Sequence, residues 1–145
     1  MMVEGQSRKM TTELGETIRY SMRLGDDTVD LNAFIGRDIQ LSFTGKITCI
    51  DCGRVTRKSF AQGFCFPCMR DSPMNAECII RPELCRGHLG EGRDPEWEQE
   101  NHVCEHIVYL ASSSDMKVGV TRGDQLPTRW IDQGASHARV LARTP

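Results

Sequence analysis

Apolar and polar positions alternate along "ETIRYSMRL", where Ile18, Tyr20, Met22 and Leu24 share one face of an extended chain. "GDD" supplies a turn and "TVDL" resumes the alternation, so the pattern predicts strands on either side of a turn. "NAFIG" reads as a connection. "RDIQLSFTGKITCI" is the best strand pattern of the first half, with Ile39, Leu41 and Phe43 on one face. Residues 10–48 are therefore expected to form a small antiparallel sheet. The stretch from Asp71 to His106 is rich in turn residues and poor in helical periodicity. Pattern returns with "HIVYLASSS" and "MKVGVTR", a hairpin turning near Ser114 and Asp115. "LPTRWIDQGA" predicts a helix, with Pro127 near its first turn and Gly134 near its end, and "HARVLAR" predicts another strand. The expected class is α+β in three segments: a β-sheet lobe over 1–48, a cysteine-rich module over 49–105, and a hairpin-plus-helix unit over 106–145.

The middle segment opens with "CIDCGRVTRKSFAQGFCFPC", two Cys-x-x-Cys pairs separated by twelve residues. A tetrahedral zinc ion takes four such thiolates. Gly53 suits the tight turn after the first pair, and Pro67 stiffens the second. The spacer can form a hairpin turning near Gln62 and Gly63, which brings the pairs together as a zinc-ribbon-like knuckle module. Cys49, Cys52, Cys65 and Cys68 are thus the expected zinc ligands. Unmetallated cysteines packed as small apolar residues are the plainer alternative. A redox pair lacks the βαβ surroundings such chemistry uses. The irregular loop downstream needs a staple of its own. A second zinc there would use Cys78, Cys85 and His88, with Cys104 or, alternatively, His102 as fourth ligand. His106 reads as a residue at a strand start and His137 as a surface histidine.

Composition narrows the functional classes. The 145 residues fit one domain or two small ones, and seven cysteines are an odd count for a pure disulfide framework. The net charge of −2 creates no global field toward nucleic acid, so any such contact must be local. No stretch approaches the ~20 apolar residues that cross a bilayer, and the N-terminus lacks an apolar signal core. A cytoplasmic protein without a membrane partner is the default; oligomeric state leaves no mark in the sequence. Around the first cysteines, Lys46, Arg54, Arg57, Lys58 and Arg70 outnumber Asp51, and Phe60, Phe64 and Phe66 interleave with them. Cations neutralise phosphates and aromatic rings stack on bases, which makes Arg54, Arg57, Lys58, Phe64 and Arg70 candidates for contact with single-stranded or structured nucleic acid. Equally physical is a mini-core of phenylalanines over the metal, with the basic residues as its solvated face.

"HIVYLASSSDMKVGVTRGDQLPTRWIDQGA" resembles the start of a GIY-YIG nuclease domain, in the divergent form whose second motif reads Lys-Val/Ile-Gly. Val108-Tyr109 stands for the first motif, Lys117-Val118-Gly119 for the second, and Arg129 for the arginine of the first helix. Ile107 stands where the first glycine would, and Lys117 where the second tyrosine would. The resemblance implies that Tyr109 helps position a nucleophilic water, that Gly119 permits close backbone approach and that Arg129 faces the phosphate. It also implies a downstream glutamate holding Mg or Mn. "TGKITCIDCGR", "KSFAQGFCFPC", "GRDPEW", "HIVYL", "KVGVTR" and "PTRWIDQGA" together resemble an uncharacterised bacterial family, the domain of unknown function numbered 2797. That family continues past the last residue here, which implies a partial product. Three readings follow: a zinc-binding protein that binds nucleic acid, a divalent-metal nuclease in a full-length parent, or a structural zinc protein acting through protein partners.

Overall fold

The computed structural model describes residues 1–144 of an α+β chain, which divides into two compact units. One joins Met1–Gln40 to Glu105–Pro145, and the other is Leu41–Cys104.

The first unit holds two antiparallel sheets. Strands β1 (Thr11–Glu13), β2 (Arg19–Leu24) and β3 (Asp27–Asp30) follow in order, with Tyr20 opposite Thr12 and Met22 opposite Val29. The side chain of Asn32 ties off this sheet. Its carbonyl accepts from the Tyr20 amide at 2.8 Å, and its amide donates to the Ile18 carbonyl at 2.9 Å. The second sheet has β6 (His106–Ser112) at its centre, between β7 (Met116–Arg122) and β8 (His137–Thr144). Strict alternation along β6 buries Ile107, Tyr109 and Ala111 on one face. Trp130 of a short helix, Thr128–Asp132, packs on this cluster, as do Leu126, Ala135 and, from β8, Val140. Lys9 also reaches Asp132 at 3.2 Å.

The second unit carries little regular structure. Strands β4 (Ile47–Thr48) and β5 (Val55–Thr56) make a hairpin, followed by helix α1 (Phe66–Asp71). Four 3-10 turns cover Pro73–Asn75, Glu77–Ile79, Pro82–Leu84 and Gly87–Leu89, and helix α2 spans Pro95–Asn101. Among the described residues of this unit the buried apolar side chains are Cys49, Phe64, Cys65 and Ala76. Arg93 compensates in part, donating to the carbonyls of Ser72 at 2.9 Å and Met69 at 3.3 Å.

One expected strand does not form along its whole length. Of "RDIQLSFTGKITCI" only Ile47–Thr48 pairs, and Ile39, Leu41 and Phe43 are exposed by 57%, 72% and 75%. Alternation prepares a strand, but the ladder needs a partner for its amides. The stretch expected to be irregular contains α2 instead. Asp94 caps it by accepting from the Trp97 amide at 3.1 Å, and Pro95 occupies the first turn.

Candidate metal centre

The first cysteine pair sits on the turn between β4 and β5. The Cys49 amide donates to the Arg54 carbonyl at 2.8 Å, and the Gly53 amide donates back to the Cys49 carbonyl at 3.1 Å. Gly53 takes φ 71°, a left-handed conformation that closes this turn without a side-chain clash. The second pair begins α1. Cys65 is its N-cap residue, Pro67 lies in its first turn, and Cys68 follows at the start of the helical ladder. Between the pairs the chain reverses at Phe60–Phe64, where each amide bonds the other carbonyl, at 2.9 and 2.8 Å. Ala61 and Gln62 hold positive φ there, so the expected turn falls one residue earlier than Gly63.

This brings Cys49, Cys52, Cys65 and Cys68 together, with all four sulfurs within 4.8 Å of one another. None is in a disulfide. The Cys52 and Cys65 sulfurs lie 3.7 Å apart. Four sulfurs at ~2.3 Å from one ion would stand about 3.8 Å from each other, so the Cys52–Cys65 edge matches a tetrahedral metal. The cluster is also electrostatically prepared. Burial pushes the Cys49 thiol up, but the amides of Cys65, Cys52 and Asp51 point at its sulfur and bring it down to about 6. The Cys65 amide donates to that sulfur at 3.2 Å. Burial and the neighbouring sulfurs push the Cys68 thiol up. A cation that binds all four sulfurs as thiolates displaces their remaining protons. This cluster can hold a metal such as zinc.

A second group gathers Cys78, Cys85 and His102, again within 4.8 Å. Of the ligands expected for a second metal, His88 is outside the group. Gly87 is the buried residue of its 3-10 turn, packed on the Glu98 backbone, and His88 beside it faces outward. Cys104 is also outside; its thiol bonds the Asn101 carbonyl at 3.8 Å.

The basic and aromatic candidates sort themselves by exposure. Arg54, Arg57, Lys58 and Arg70 are exposed, and Arg70 is paired with Asp71 at 2.6 Å. Phe64 is only 4% exposed, so its ring belongs to the packing beside Cys65 and cannot stack on a base. Phe66 is the accessible ring, 54% exposed. It meets Phe60 edge-on at 5.6 Å, and the Lys58 ammonium lies 5.2 Å from the Phe60 ring centre. The sequence signal for Phe66 is its place between Cys65 and Cys68 at a helix start, where one side must face out.

In the C-terminal sheet Tyr109 and Gly119 are directly opposite, on β6 and β7. Tyr109 is buried, packs edge-on against Trp130 at 6.0 Å, and donates its hydroxyl to Gln133 at 2.9 Å. Arg129 is exposed on the helix Thr128–Asp132.

Among the described residues no helix is long and apolar enough to cross a membrane. No curated protein and no solved structure matches the chain. A family model does match residues 36–145, a span that takes in both cysteine groups and the C-terminal sheet. The chain therefore belongs to that family, described as Protein of unknown function (DUF2797).

Proposed function

We propose that this is a zinc-binding protein that holds nucleic acid, single-stranded or locally unpaired, against the face around its four-cysteine centre. The observation that carries this reading is the tetrad of Cys49, Cys52, Cys65 and Cys68, whose sulfurs all lie within 4.8 Å of one another, framed by exposed cations and an exposed ring. The metal orders a zinc-ribbon-like module whose core is too thin to order itself. Arg54, Arg57 and Lys58 neutralise phosphates, and Phe66 offers a stacking platform. A local patch of this kind suits a chain whose net charge is −2.

The C-terminal sheet, with a helix between β7 and β8, supports a GIY-YIG-like reading of that unit. Tyr109 and Gly119, which stand for its two motifs, pair across β6 and β7. The Tyr109 hydroxyl is nevertheless committed to Gln133 inside the core, which favours a scaffold role over activation of water.

Titration of labelled single-stranded DNA and RNA at two salt concentrations tests the proposal. Salt-dependent binding is expected, and replacing Arg57 and Lys58 with Ala should lower the log–log salt slope by about 0.7 for each phosphate no longer neutralised. Absence of salt-dependent binding would leave a structural zinc protein acting through protein partners.

A further inference from the structure

We infer that Cys78, Cys85 and His102 bind a second divalent metal, through three protein ligands and one exchangeable position. The three come from separate elements: the 3-10 turn Glu77–Ile79, the residue that ends the turn Pro82–Leu84, and the residue that ends α2. Twenty-four residues separate Cys78 from His102, yet the Cys78 sulfur lies 3.4 Å from His102 Nδ1. A tetrahedral ion with sulfur at ~2.3 Å and nitrogen at ~2.0–2.1 Å sets that edge at about 3.6 Å. Two thiolates and an imidazole form a donor set suited to zinc.

The surrounding segment gives the site a reason to exist. Between Pro73 and Cys104 only Ala76, Gly87 and Glu98 are buried, whereas Ile79, Ile80, Leu84, Leu89 and Val103 are exposed. Hydrophobic burial does not hold these turns together, and a shared ion would. His102 is already aimed. Its amide donates to the Glu98 carbonyl at 2.8 Å, which fixes it at the end of α2, and its ring meets Trp97 edge-on at 5.1 Å. Glu98 in turn is buried, with its carboxylate on the Arg93 amide at 2.9 Å. The ring that presents Nδ1 is thus held by packing from behind.

No fourth protein donor joins the group among the described residues. His88 is exposed, and the Cys104 thiol is engaged with the Asn101 carbonyl. A three-ligand site leaves its last position to water or a small anion, the arrangement of zinc sites that do chemistry and unlike the closed four-sulfur cage. The inference is independent of nucleic-acid binding.

Metal content of the purified full chain, by emission spectrometry, is expected at about two zinc per chain; about one overturns the site. The double variant Cys78→Ser with Cys85→Ser should keep about one, and retention of two overturns the ligand assignment. Cys104→Ser should keep both metals; loss of one makes Cys104 a ligand and overturns the open position. Cobalt-substituted wild-type chain supplies a readout that needs no variant. Added azide should shift the visible bands of one cobalt, and an unchanged spectrum overturns the exchangeable position.

Discussion

The Tyr109 ring occupies the space a side chain at position 119 would need: a Cβ on Gly119 would stand 2.5 Å from both Cζ and Oη of Tyr109. The two residues face each other across β6 and β7, so the glycine is a packing requirement of the core. Gly119→Ala must displace the ring, which packs on Trp130 and bonds Gln133. It is expected to destabilise the fold by about 1–3 kcal/mol, as overpacked cores do. Tyr109→Phe, which removes only the hydroxyl bond to Gln133, should cost about 1 kcal/mol. Chemical denaturation of the two variants compares them directly; a neutral Gly119→Ala would contradict the packing described.

Metal removal should act on one unit. Structural zinc sites contribute an apparent ~10–16 kcal/mol, far more than four buried apolar side chains in Leu41–Cys104 can replace. Strong chelator should abolish hydrogen-exchange protection in β4, β5 and α1 and leave protection in β6, β7 and β8. Unchanged exchange in α1 would remove the metal from the folding of that unit.

Acid should release the metal. Cys49 has its thiol lowered from the ordinary 9.0 to about 6, so in the metal-free chain its stabilising contribution is full above about pH 9 and is lost as pH falls through about 6. Cys68, raised, opposes it on the alkaline side. Bound metal competes with protons for all four sulfurs, so affinity falls with pH and falls most steeply below about 6. A colorimetric metal indicator read between about pH 8 and pH 5 checks this; pH-independent retention would argue against thiolate ligation.

Two phenylalanines two residues apart should separate stability from binding. Phe64→Ala empties a buried position and should cost about 3–5 kcal/mol of stability. Phe66→Ala removes an exposed ring and should leave the melting temperature near wild type. Its effect should appear as a loss of about 1–3 kcal/mol in single-strand binding. Equal binding by wild type and Phe66→Ala would take the stacking platform off this face.

Much of the architecture is legible in the sequence because it is local. Both hairpins flanking Gly25 and Ser114 announce themselves by alternation on either side of a turn, and both strands of each lie within a few residues of it. Helix Thr128–Asp132 carries its own punctuation in Pro127 and Gly134. Helix α2 is hidden because "PEWEQEN" has no apolar stripe; its start signal, Asp94-Pro95, is present but unsupported by periodicity. The strand expected through Ile39, Leu41 and Phe43 fails for the opposite reason, a good pattern without a partner.

The amino-acid order alone determined the first cysteine group. Each Cys-x-x-Cys pair forms a local turn, and a short spacer closes the loop between them at small entropic cost. Only the tertiary structure decided that His102 and not His88 joins Cys78 and Cys85, and that Phe64 turns inward while Phe66 turns out. Those choices depend on where distant turns settle against α1 and α2. Side-chain spacing along the chain carries no information about that, because the meeting of remote segments is set by packing and backbone hydrogen bonds.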